Sequence, residues 1–296
     1  MRRRRIFNAV GMAVLSILGV LAALPLLYLI FDIYARGLPV VLSGGLQFLL
    51  GLPPTPIGGQ GGIGPFLAGT LYMTAIGALL GFVMGFPIGI YAGLYAGEKL
   101  ASISRAFTNV LVEFPTIAVG LFVYILSSYS VGDLDKLLAP LAAAPWPLGQ
   151  FLGPLQVFNA YSGAFALALV MTPYVAVYTA SAYASIEREL KEAAFSVGGS
   201  EYNAVLVVMR KAVSRAVLAA ALIGTAKIAG ETAPLLFTAF GNTFYAPFTG
   251  PTGAVSLWIY AAAQQPFPNV RDSAYGAAAV LLSIVLALFI AARARR

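Results

Sequence analysis

The sequence predicts an all-α membrane protein, a polytopic bundle of six transmembrane helices with both termini in the cytoplasm. Three observations carry that reading. The chain has 296 residues, of which 60% are hydrophobic and 10% charged, whereas soluble globular chains run near ~45–50% apolar and ~25% charged. So few charges cannot cover a water-facing surface of this size, and disorder requires low hydrophobicity instead. Six stretches reach the ~20 mostly apolar residues that a spanning helix needs. The basic residues fall overwhelmingly on one set of alternate loops. With no Cys and no His, thiol chemistry, disulfides, imidazole bases and Cys/His metal sites are excluded, and no metal site is expected.

The first stretch, residues 6–31, carries no charge and follows Arg2, Arg3, Arg4 and Arg5. A signal peptide has an apolar run of only ~7–15 residues. At ~1.5 Å per residue this one is long enough to cross a bilayer and tilt, so a retained span is expected. The other five are residues 67–96, 107–126, 156–183, 213–240 and 274–292. Segment 44–64 is rich in Gly and Pro and uncharged, which predicts a flexible or extended outer connector. Segment 127–155 holds Asp133, Asp135 and Lys136, then Trp146 between two prolines as an interface marker. No stretch is polar and long enough for a separate soluble domain.

Lys and Arg set the orientation. With the N-terminus in the cytoplasm, fourteen of the 18 basic residues lie on that side: Arg2 to Arg5, Lys99, Arg105, Arg188, Lys191, Arg210, Lys211, Arg215, Arg293, Arg295 and Arg296. Arg36, Lys136 and Arg271 lie opposite, and Lys227 falls within a span. The net charge of +7 is therefore mostly an orientation signal against a membrane lipid surface, and no nucleic-acid partner is expected.

Three features could carry more than topology. Gly77, Gly81, Gly85, Gly89, Gly93 and Gly97 recur every fourth residue of the second span, the spacing that lets helix backbones approach closely in lipid. Four residues turn a helix ~400°, so the seam drifts ~40° per step. One partner helix is not expected to follow all six glycines; two or more neighbours, or a bend at Pro87, are. The inner segment 185–215 predicts a short helix, a break at Gly198-Gly199, and a second helix with Ser200 as N-cap. Glu187, Lys191 and Glu192 stand at pairing distance along the first helix, and Ala193 and Ala194 leave one surface smooth for docking. Lys227 and Glu231 are charges inside a span, where each costs at least ~2.5–3.5 kcal/mol on insertion scales. Their i,i+4 spacing puts them on one helix face, either as a neutralised pair that locks the bundle or as groups facing a wet path. Glu113, beside Pro115, reads as a snorkelling or capping residue at the inner end of the third span.

Glu192-Ala193-Ala194, with Gly198 four residues on, resembles the EAA loop of ABC importer permeases. Residues 227–239, reading KIAGETAPLLFTA, are similar to the signature of the PstA-type permease subunits of phosphate ABC import systems. Segments 119–124 and 87–93 agree with the same family. The resemblance runs from about Leu67 to the C-terminus. It implies a type I ABC importer permease fold and divides the chain into residues 1–66, an N-terminal span with its extracytoplasmic loop, and residues 67–296, the transmembrane domain with a coupling loop at about 185–212.

The resemblance further implies that Lys191, Glu192, Ala193, Ala194 and Gly198 couple to an ATPase. Lys227, Glu231 and Thr232 would lie on the substrate pathway, Lys227 guiding a phosphate anion and Glu231 holding the lysine when no anion is present. Relatives usually carry Arg where this chain has Lys227, and a lysine is a point charge without the planar fork, so electrostatic guidance is expected rather than a two-point grip. The chain has no GxxxxGK[ST] loop and no nucleophile–base pair, so it is not expected to be an enzyme or to hold a cofactor. ATP and Mg²⁺ would be bound by a partner ATPase dimer. A second homologous permease and an extracytoplasmic phosphate-binding protein complete the implied assembly in the cell membrane. Two alternatives stay open: a permease for another oxyanion such as sulfate or molybdate, and a stand-alone secondary transporter or channel.

Overall fold

The computed structural model describes residues 2–142, 155–197 and 200–294. Gly198 and Gly199, Trp146 and the C-terminal Arg295 and Arg296 lie outside the described residues. The helices are α1 (Arg2–Leu50), α2 (Gly64–Leu94), α3 (Lys99–Val112), α4 (Thr116–Ala142), α5 (Ala160–Ala184), α6 (Arg188–Val197) and α7 (Glu201–Asn203). A π-helical stretch, Ala204–Met209, leads into α8 (Arg210–Ala229), and α9 (Ala233–Thr238), α10 (Val255–Ala263) and α11 (Pro268–Ala294) follow. The one isolated bridge among the described residues joins Phe240 to Thr252.

Four of these helices are long and apolar enough to cross a bilayer, and α3 with α4 makes a fifth span bent by 100°. The two remaining differences from six straight spans have a common cause in proline. Segment 107–126 breaks at Glu113-Phe114-Pro115, where Glu113 is the C-cap of α3. Segment 213–240 breaks after Ala229, with Gly230 as C-cap and Pro234 in the first turn of α9. A proline has no N–H to donate and crowds the carbonyl four residues back, so neither helix continues through it. Pro87, by contrast, sits within a continuous α2. Helix α10 lies in a stretch where the apolar pattern announced no element.

The packing centre is the pair α2–α5. A Cβ added at Gly77 or Gly81 would meet the backbone or Cβ of α5 within 3.0 Å, and at Gly85 it would stand 2.5 Å from the Thr172 carbonyl. At Gly89 and Gly93 the same holds against Ala176 and Ala180. Five of the six glycines thus follow one helix, contrary to the expectation of several partners. The reason is on α5, whose Ala164, Ala168, Thr172, Ala176 and Ala180 repeat with the same period of four. Both seams drift together, and two helices that wind around each other right-handedly keep them in register. Residue numbers rise together along the seam, so the two helices run parallel, as the charge-derived topology requires of the second and fourth spans. Gly97 has nothing within 4 Å of an added Cβ.

Helix α1 runs antiparallel to α11: Tyr34 bonds Ser283 at 2.9 Å and Arg36 bonds Tyr275 at 3.3 Å. It extends well past residue 31 and bends at Gly45 (φ 52°), a left-handed backbone that suits glycine. Beyond the bend Phe48 is buried with Ile63, Phe66, Val255 and Ala277. Segment 44–64 is therefore not a free connector. Gly62, Ile63 and Gly64 donate back to Leu52, Phe48 and Gly51, and Asn269 Nδ2 donates to the Thr55 and Gly58 carbonyls at 2.9 Å. Its glycines serve close backbone approach: a Cβ at Gly62 would stand 2.6 Å from the Gly51 carbonyl oxygen.

Gly85→Ala should overpack the α2–α5 seam and destabilise the chain by about 1–3 kcal/mol, while Gly97→Ala leaves stability unchanged; thermal unfolding of the purified full-length chain measures both.

Candidate functional site

Lys227, Glu231 and Thr232 meet where α8 ends. Lys227 occupies the last turn of α8, Gly230 caps it, and Glu231 and Thr232 form the link to α9. Lys227 Nζ donates to Glu231 Oε1 at 2.5 Å, with the lysine side chain 43% exposed and the glutamate 9%. The pair therefore does not sit on one helix face as i,i+4 spacing suggested: Glu231 lies beyond the helix end. That placement suits both charges, since a cation is favoured at a helix C-terminus and an anion just ahead of the next N-terminus.

The break is held by its neighbours. The Glu231 N–H donates to Ile228 at 3.2 Å, and Ser256 Oγ on α10 donates to the Glu231 carbonyl at 2.8 Å. Thr232 is partly buried, and its carbonyl accepts from Leu236 at 3.2 Å. Gly120 of α4 lies against Pro234, where a Cβ would stand 2.6 Å from the proline Cα. At the far end of α9 the Thr238 carbonyl accepts from the Asn159 N–H at 2.9 Å, and the Asn159 side chain caps α5. Phe240 turns the chain out of α9 with a φ of 62°. Ser256 carries no charge and matches no short motif, and Gly120 stands out only as part of the family-like segment 119–124, so neither residue's part in the break is readable from the sequence. A half-open cavity of about 280 Å³ at the α3–α4 bend is lined by apolar groups including Leu111, Phe114, Phe122 and Val170; neither Lys227 nor Glu231 lines it.

The segment around α6, which the sequence predicts to be the coupling loop, lies at the opposite end of α8. Ala194 on α6 is buried against Tyr183, Ile186, Val205 and Met209. Ala193 is exposed, as are Leu190 and Phe195. Adjacent helical residues point ~100° apart, so the two alanines do not make one smooth surface: Ala194 packs inward, and the opposite face is centred on Arg188 and Glu192, with the exposed Ala193 and Phe195 on its two flanks. Glu192 pairs with Arg188 at 2.8 Å rather than with Lys191, both partners well exposed. Lys191 is partly buried. Ser200 caps the next turn by accepting from Asn203 N–H at 3.3 Å. Gly198 is outside the described residues.

A second tie joins this segment to α2. Tyr91 donates to Glu98 at 2.7 Å, and Tyr95, just past the end of α2, donates to the Glu201 carboxylate. That hydrogen bond, then burial, then the nearby carboxylate charges push the Tyr95 phenol up to about 12. A raised acid pKa in the folded chain stabilises the fold below the unfolded value near 10 and loses that contribution as pH climbs towards 12. Tyr95→Phe should therefore flatten the fall in stability across that alkaline window, measured by unfolding at a series of pH values.

Comparison with known proteins agrees with this architecture. Residues 85–295 match the family of binding-protein-dependent transport system inner membrane components. The chain is 36% identical over 292 residues to a probable phosphate transport system permease protein PstA of Methanocaldococcus jannaschii, covering 98% of this chain and 94% of that protein. It is 30% identical to the PstA permease of Xylella fastidiosa, covering 99% and 93%, and 28% identical to that of Haemophilus influenzae, covering 90% and 86%. The inward-facing MetNI methionine ABC transporter shares the fold with a TM-score of 0.53 at 18% identity, over 78% of this chain and 94% of that one. The chain belongs to the binding-protein-dependent transport system inner membrane components, as a membrane-embedded permease with PstA proteins among its relatives.

Proposed function

We propose that this chain is the permease subunit of an ATP-driven phosphate importer and that the broken helix α8–α9 forms part of its translocation path. The observation that carries the reading is the Lys227–Glu231 pair at 2.5 Å beside the break, in a chain whose relatives are phosphate permeases. A half-exposed lysine offers one positive charge to an anion that hydrocarbon would reject. Glu231, nearly buried, holds the ammonium when the path is empty and gives it up when phosphate arrives, so the site is never left with an unpaired cation. Thr232, next in the link, supplies a hydroxyl to the same path. The break itself suits transport, because non-helical backbone at membrane depth is tolerated where it is packed in protein or lines a wet cavity.

Energy comes from outside the chain in this reading. A partner ATPase docks on α6 and the segment after it, through Glu192, Ala193 and the exposed Leu190 and Phe195, with Lys191, Ala194 and Gly198 shaping the segment. ATP-driven closure of the ATPase pair moves α6, and α6 moves α5 and α8 through the buried cluster around Ala194. A second permease completes the path, and an extracytoplasmic binding protein delivers phosphate. Switching between inward and outward states is then a rigid-body rearrangement of packed helices.

In proteoliposomes holding the full assembly, phosphate uptake should require ATP. Lys227→Ala should lower it at least about tenfold, the loss of one charge-assisted contact, while Lys227→Arg preserves it. Unchanged uptake in Lys227→Ala would remove the lysine from the path, and equal competition by sulfate or molybdate would reassign the substrate. Phe195→Asp should sharply reduce ATPase recovered with the permease from native membranes; full recovery contradicts docking on the outer face of α6.

A further inference from the structure

Arg105 entered the sequence reading only as an orientation signal, yet its surroundings are those of a binding site. It lies on α3 facing the inner ends of α2 and α5, and lines a cavity of about 190 Å³ with Ala92, Thr108, Asn109, Val177, Ser181 and Ala184. Its guanidinium Nε and Nη2 are shut off from solvent and have no hydrogen-bond partner. No carboxylate lines the cavity. A buried cation edge without an acceptor is costly, so something that accepts hydrogen bonds belongs beside it.

The chemistry selects the ligand. Nε and Nη2 form one edge of the planar fork, the edge that meets two oxygens of an oxyanion side by side. Arg105, Thr108 and Asn109 stand at i, i+3 and i+4 on α3 and so share a face. The Asn109 amide adds further donors. Thr108 and Ser181 already spend their hydroxyl hydrogens on carbonyls of their own helices, at 2.9 Å to Ser104 and 2.9 Å to Val177, so the donors left for a ligand are the Arg105 edge and the Asn109 amide. A water occupies ~30 Å³ of liquid, and 190 Å³ takes an oxyanion with several waters. Turning the guanidinium edge into the adjoining cavity breaks no hydrogen bond, because that edge makes none. The position is cytoplasmic: Ala184 ends α5 and is four residues from Arg188, where α6 begins.

We propose that the cavity between α2, α3 and α5 binds a phosphoryl oxyanion at the cytoplasmic end of the chain, separate from the Lys227–Glu231 break. Such a group reaches this position either as free inorganic phosphate or as the headgroup of an anionic lipid. Occupancy fastens α3 onto α5 directly above the coupling segment.

The test uses the full-length chain in a maltoside detergent, whose headgroup has no phosphate, and carries Lys227→Ala throughout so that the α8–α9 break contributes nothing. Binding of radiolabelled orthophosphate is measured by equilibrium dialysis, and retention of phosphatidylglycerol against a neutral glycolipid by native mass spectrometry. Adding Arg105→Gln should weaken one of the two at least about tenfold: orthophosphate if the ligand is the free anion, phosphatidylglycerol if it is a headgroup. Both unchanged overturns the proposal. If Arg105→Gln does not fold, Asn109→Ala on the exposed rim is read by the same two assays, and no change in either again overturns it. A negative result here leaves the role of Lys227 standing, and failure of the Lys227 uptake test leaves this site standing.

Discussion

A backbone inside a bilayer has no water to turn to, so every N–H and C=O it carries must find a partner within the protein. The places where this chain stops being helical at membrane depth are therefore the places where other elements supply those partners. After α8 the Glu231 carbonyl is met by Ser256 from α10, and the end of α9 is met by Asn159 from the start of α5. Glycine at position 120 lets α4 lie directly on Pro234. The break is thus assembled from α4, α5, α8, α9 and α10 together, and it is this shared support that makes a charged, irregular segment compatible with the membrane.

The same economy of backbone approach organises the centre. Matching seams of small residues on α2 and α5 bring two parallel helices to carbonyl contact along five turns, which fixes their relative height. Beside that pair, α1 is joined to α11 by the Tyr34–Ser283 and Arg36–Tyr275 hydrogen bonds and by the close approach of Gly37 to the Tyr275 carbonyl. Ala194 of α6 packs in one buried cluster with Tyr183, Met209 and Val213, that is, against the inner ends of α5 and α8. One of these helices belongs to the central pair and the other ends at the Lys227–Glu231 break.

How much of this was legible in the sequence depended on whether the signal was local. Apolar length and the basic-residue asymmetry located the helices because lipid imposes both directly, and Ser200 was readable as a cap from its side chain alone. The partner of the glycine seam was not, because it required reading the period of α5 against that of α2 rather than either by itself. Pro115 and Pro234 were visible, but apolar runs continue through them, and hydropathy does not register a missing N–H. Segment 44–64 looked flexible because glycine serves equally for freedom and for close contact, and only the facing carbonyls decide between them. In the site, Lys227 and Glu231 stood out as charges in an apolar run, while Ser256, Gly120 and Arg105 gain their meaning from neighbours distant in the chain.

If the link between α8 and α9 is part of the translocation path, it is reached by water and sensitive to substrate. The chain contains no cysteine, so Thr232→Cys introduces a single thiol at that link. In the reconstituted assembly its rate of reaction with a membrane-impermeant thiol reagent should fall several-fold when phosphate is present and change again during ATP turnover. A rate indifferent to both phosphate and ATP would contradict the account, because it would leave the break as packing alone.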